Sequence, residues 1–238
     1  MYVYYGDTRI LAQHYEGIKA WTDYLTGRAK DGLVAYYTYG DWVGAAKTPG
    51  DLVSTAYYCW SVDIVTRAAM VLGKTDDAIT YQKLGVSIRD SFQRAFYSPY
   101  SGAYGSGSQT SFVLPLFLDM VPENLRSTAI ADLTSDIIYS NNTHLTTGIL
   151  GTKYVLPLLT RYGRSDLAYE LAAQTTYPSW GYMAENGATT LWELWQNRTG
   201  SSMNSHNHPM FGSVSGWFYS ALAGINPDPA APGFQRIR

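Results

Sequence analysis

Residues Trp180 to Glu193 read Trp-Gly-Tyr-Met-Ala-Glu-Asn-Gly-Ala-Thr-Thr-Leu-Trp-Glu, so two carboxylates, Glu185 and Glu193, share a short stretch with two indoles, Trp180 and Trp192. Indole faces accept the apolar C–H face of a pyranose, while carboxylates move protons and orient water, the combination a sugar-cleaving site needs. The competing reading is a buried aromatic turn whose acids are hydrogen-bonded for structural reasons. A second acid–indole pair, Asp41-Trp42, ends the run Tyr36-Tyr37-Thr38-Tyr39-Gly40-Asp41-Trp42. Here the alternative is a capping Asp beside a packed Trp. The run Asn204-Ser205-His206-Asn207-His208-Pro209 adds a His-x-His pair. Metal binding wants a third and fourth ligand, and none is evident nearby. A histidine hydrogen-bonded to a sugar hydroxyl or a catalytic carboxylate suits a polar loop better. Neither a metal nor an organic cofactor is expected.

Other catalytic patterns fail on inspection. Gly212-Ser213-Val214-Ser215-Gly216 has Val where a nucleophile elbow needs Ser. Gly105-Ser106-Gly107 lacks the third glycine and preceding strand of a dinucleotide loop. Nineteen acids against 17 bases leave a net charge of −2, which argues for neither nucleic acid nor an anionic membrane as partner. Charged residues are only 15% of the chain, below the usual quarter, while 21 Tyr and 7 Trp are more rings with polar handles than a plain core needs. That excess fits a wide, aromatic-lined cleft. The single cysteine, Cys59, excludes an internal disulfide and lies in an apolar run, the setting of an inert core thiol. The start Met1-Tyr-Val-Tyr-Tyr-Gly shows no signal-peptide pattern. The longest apolar run, Phe112 to Leu118, is too short to span a bilayer. The expectation is a chain in the cytoplasm, or in a compartment the sequence does not fix.

The elements that must carry these residues read as helices. Residues 8–25 are one candidate, ending before Gly27. Residues 52–72 are apolar on nearly every face, with Val53, Ala56, Trp60, Ile64 and Val71 on one stripe and Cys59, Val62 and Ala69 on another. A helix apolar all round is a buried one. Gly73 ends it, and Asp76-Asp77 starts an amphipathic helix with Tyr81, Leu84, Ile88, Phe92 and Ala95 at 3- and 4-residue steps. Further helices fit 110–120, 123–138, 146–162, 165–174 and 211–224. No convincing β alternation appears. The recurring order is a buried helix, a turn, an amphipathic helix and a longer loop. Such hairpins arranged around an axis make a two-ring toroid with its long loops (27–48, 98–109, 139–146, 175–190 and 194–210) at one end.

The chain resembles the catalytic domain of bacterial α-L-rhamnosidases, inverting glycoside hydrolases on an (α/α)6 toroid. The resemblance runs nearly end to end: Tyr4-Tyr5-Gly6-Asp7, Gly40-Asp41-Trp42, His144-Leu145-Thr146-Thr147-Gly148, and Thr176-Tyr177-Pro178-Ser179-Trp180-Gly181. Its most specific blocks are Glu185-Asn186-Gly187-Ala188-Thr189-Thr190-Leu191-Trp192-Glu193 and Asn207-His208-Pro209-Met210-Phe211-Gly212. The resemblance implies an all-α fold, Glu193 as the general base that activates water, His208 as the loop histidine, and Asp41-Trp42 in a rhamnose pocket that Trp180 and Trp192 also line. It implies rhamnose-containing glycosides or polysaccharides as partners.

One motif departs from the pattern. The family's general acid lies on an Asp-Cys-Pro-x-Arg-Glu segment, and this chain has none; its only Cys is followed by Trp60. Glu185 is the one acid in the chain considered as a substitute, with sugar orientation as its other role. Eight or nine helices are counted where a closed ring of six hairpins has twelve, so the single domain over 1–238 is expected to be a partial toroid. Its open edge would be covered by the preceding segment of the same enzyme or by a second copy. Two other readings stay open: an inactive carbohydrate-binding or assembly module that keeps the pocket, and a polysaccharide lyase on a similar toroid.

Overall fold

The computed structural model describes residues 2–35 and 39–238; Tyr36, Tyr37 and Thr38 of the aromatic run lie outside the described residues. The described residues form ten α-helical segments with isolated bridges and no strand. Three are short: α1 (Tyr2–Tyr5), α9 (Trp180–Glu185) and α10 (Ser213–Trp217). The others are α2 (Arg9–Arg28), α3 (Gly50–Val71), α4 (Thr75–Phe96), α5 (Gln109–Phe117), α6 (Glu123–Ser135), α7 (Ile149–Arg161) and α8 (Ser165–Ala173). Five-residue π-helical turns extend α6 and α10, at Asp136–Ser140 and Phe218–Leu222.

Packing sorts these helices into two layers. The apolar α3, α5, α7 and α10 touch in sequence to make an inner arc, and α4, α6 and α8 each pair with the inner helix before them. Leu114, Val155, Leu158 and Trp217 bury fully on the inner arc, whereas α4 buries only one face, with Tyr81, Ile88 and Phe92 inward. Asp76 and Asp77 in the first turn of α4 and Arg94 in its last complement its dipole. This is the hairpin order of an (α/α) toroid.

The two ends of the arc differ. Short turns join hairpin partners at one end, and the Arg89 guanidinium, from the middle of α4, holds Asp63 of α3 at 2.6 Å and the Asp119 carbonyl of the α5–α6 turn at 3.1 Å. The long loops gather at the other end and hydrogen-bond to each other. Ala46 N–H donates to the Thr146 carbonyl, Ser106 to Lys47, Gln109 to His144, and Ile149 N–H to Trp42. That knitting makes a rigid rim from segments distant in the chain.

One expectation needs correcting. Helix 52–72 is not buried all round: Trp60 is half-buried, and Ile64, Met70 and Val71 are exposed. Among the described residues no helix covers that stripe. An apolar groove of about 390 Å³ opens beside it, walled by Trp21 and Leu25 of α2, Val53 and Tyr57 of α3, and Leu150. Cys59 does lie in the core, and burial pushes its thiol up to about 12, so it stays protonated and inert. No described helix is long and apolar enough to cross a membrane.

Candidate active site

Glu193 lies on the loop rim, in a segment without regular structure. Two backbone hydrogen bonds hold it: Glu193 N–H donates to the Ser205 carbonyl at 2.9 Å, and His208 N–H to the Leu191 carbonyl at 2.8 Å. The Thr190 hydroxyl adds a bond to the His206 carbonyl. The 190–193 and 205–208 strips are thereby zipped together. Beneath them, Trp195 is fully buried, stacked on Phe211 at 3.9 Å between centroids, and its Nε1–H donates to the Thr147 carbonyl at 2.8 Å. Trp180 meets Trp195 edge-on and donates its own N–H to the Phe211 carbonyl. An indole stack anchored to α7's leading loop fixes where the Glu193 loop can sit.

The carboxylate of Glu193 is half-buried and receives two donors, Trp42 Nε1 at 3.0 Å and Asn204 Nδ2 at 3.2 Å. The Asp41-Trp42 turn that delivers this indole is itself pinned from below. Asp41 is buried, and its oxygens accept from the Thr110 hydroxyl at 2.5 Å and from the backbone N–H groups of Gly148, Leu150 and Gly151 at 2.7, 2.8 and 3.2 Å. Those N–H groups are the unpaired donors at the start of α7, so Asp41 caps a helix from 107 residues away. Burial pushes its carboxyl above the ordinary range, and the four donors pull the other way. Gly148 is required here because a Cβ would collide with the Trp42 carbonyl and the Asp41 carboxylate. Next to Trp42, Val43 sits at φ 58°, a conformation a β-branched residue avoids, held by flanking backbone bonds from Gly44 and Ala46.

The sequence-derived site residues therefore divide. Glu193 and Trp42 come into direct contact. Asp41 is turned inward, and both of its oxygens accept hydrogen bonds inside the protein. Trp192 is 4% exposed and lies against the His206 ring, too buried to serve as a sugar platform. Trp180 is half-buried in the indole stack. His208 is half-buried, and its Nδ1 accepts from Met210 N–H to cap the turn Pro209–Phe211, which leaves Nε2 as the ring nitrogen with no hydrogen bond among the described residues. Glu185 ends α9, exposed, with no hydrogen bond to the Glu193 cluster among the described residues. Trp195, Asn204 and Thr110 were not singled out from sequence. Trp195 stands three residues after Trp192 in an apolar setting, a spacing that marks packing; nothing local marks Asn204. Among the described residues no group of three or more His, Cys, Asp or Glu side chains is placed to hold a metal.

The profile of the bacterial α-L-rhamnosidase six-hairpin glycosidase domain matches residues 1–222. The chain belongs to this family. An α-L-rhamnosidase of Streptomyces avermitilis is 40% identical over the whole chain, which spans 23% of that relative. The structure of an α-L-rhamnosidase from Dictyoglumus thermophilum superposes with a TM-score of 0.93 at 42% identity over 99% of this chain and 27% of that one. The Streptomyces avermitilis enzyme complexed with L-rhamnose superposes at 0.91 with 38% identity, over 99% and 23%. The chain thus spans about a quarter of the length of these rhamnosidases, and the part it spans includes the rim on which Trp42 meets Glu193.

Proposed function

We propose that this chain forms part of the catalytic site of an α-L-rhamnosidase and supplies its general base, Glu193, for inverting hydrolysis of terminal α-L-rhamnose. The observation that carries the reading is the Trp42–Glu193 contact, which sets a half-buried carboxylate beside an indole on a rim knit from four loops. Inversion needs one carboxyl to protonate the leaving oxygen and another, about 6.5–9.5 Å away, to activate water on the opposite face. In this reading Glu193 takes the second task. In the same reading His208 Nε2 and the face of Trp42 would hold the sugar. Glu185, exposed and apart, is a poor candidate for the first task. The 238 residues contain no Asp-Cys-Pro-x-Arg-Glu segment, so in this reading the acid belongs to another part of the enzyme.

The test uses α-L-rhamnosyl fluoride, because fluoride leaves without a proton and so isolates the step assigned to this chain. Proton NMR of the reaction should show β-L-rhamnose as the first product. First formation of α-L-rhamnose would overturn inversion. Absence of fluoride release would favour the inactive sugar-binding module, and an unsaturated sugar chromophore from an acidic polysaccharide would favour the lyase.

A further inference from the structure

The two donors on Glu193 fall on the same oxygen. Trp42 Nε1 and Asn204 Nδ2 both reach Oε1, and among the described residues no donor reaches Oε2. A carboxylate oxygen has about two lone-pair sites and can only accept, so the Asn204 amide must present its NH₂, and Oε1 is filled. A proton taken from water has to arrive on an oxygen with a free lone pair. Oε2 is that oxygen.

We propose that Asn204 is a positioning residue for Glu193: with Trp42 it occupies Oε1, fixes the plane of the carboxylate and assigns proton uptake to Oε2. The inference rests on Glu193 as base and adds which oxygen acts and what holds it. The Asn204 side chain is separable from the shape of its loop. The backbone bonds Glu193 N–H to Ser205 and His208 N–H to Leu191 set that loop without it.

Two variants separate a donor to Glu193 from a residue that merely shapes the loop. Asn204→Asp keeps the outline of the side chain but sets a second carboxylate about where the amide stood, whereas Asn204→Ala only removes the donor. A shape role makes Asp the milder change; a positioning role makes it the harsher one. The first readout is the Trp42 indole N–H signal in ¹⁵N-labelled 238-residue chain followed against pH, assigned with Trp42→Phe and tied to Glu193 by Glu193→Gln. Relative to the parent, its midpoint should move to higher pH in Asn204→Ala and further in Asn204→Asp. The second readout is hydrolysis of rhamnosyl fluoride, where kcat should fall about tenfold in Ala and further in Asp with KM little changed, the size expected from one charge-assisted hydrogen bond. Asn204→Ser, which keeps a short donor, should lie between parent and Ala and serves if Asp disturbs folding. An unmoved midpoint in every variant, or Asp milder than Ala, overturns the proposal. Full activity of Glu193→Gln would overturn the base reading instead, and a moved midpoint would then leave the Asn204 contact standing.

Discussion

Asp41-Trp42 and Trp192-Glu193 are the same pair of residue types in opposite order, and the fold uses them in opposite ways. In the first, the acid is buried as a cap on α7 and the indole reaches outward. In the second, the indole is buried and the acid reaches outward to meet it. Each pair buries one member and turns the other to the candidate site. In each pair the two neighbouring side chains are divided between the core and the rim, one buried and one half-buried. Proximity of acid and indole in sequence therefore does not say which member is turned to the core and which to the rim.

The largest expected stability effects fall on the buried members. Trp192→Ala should destabilise the chain by about 3–5 kcal/mol, the usual cost of emptying a buried aromatic site. Asp41→Asn should cost about 2–3 kcal/mol, because three helix-start N–H groups and Thr110 lose a charged acceptor. Thermal melts check both, and an Asp41→Asn variant that melts with the parent would undo the division of roles. The outward member should behave differently. Trp42→Phe keeps the ring and loses one hydrogen bond to Glu193, so stability should change by less than about 1 kcal/mol while hydrolysis slows about tenfold. A large melting shift without a rate change would make Trp42 a structural residue like Asp41.

The helical scaffold was legible because its signals are local. Three- and four-residue spacing and flanking Gly, Pro and Asp located α2 through α8 to within a few residues. Periodicity marks an apolar face but not what covers it, so the open stripe of α3 at Trp60 and Ile64 read as core. The segment 175–190 read as loop, yet Ser179 caps Tyr182 N–H to start the short helix α9. The site was legible as a set of loops and a pair of motifs. The burial of Asp41 and Trp192 was not, because it depends on α7 and on the 205–208 strip, more than 100 residues from Asp41 and a loop away from Trp192. Asn204 had no local mark at all; only the folded rim sets it on Glu193.

On the proposed function, Glu193 is the outward acid that activates water. Replacing it by Gln keeps the shape and the contact with Trp42 but removes the basic oxygen. The rate of rhamnosyl fluoride hydrolysis by Glu193→Gln, set against the parent chain, should fall by about 10²–10⁴ while rhamnose binding and melting temperature stay near the parent's. Equal rates in the two would contradict the account.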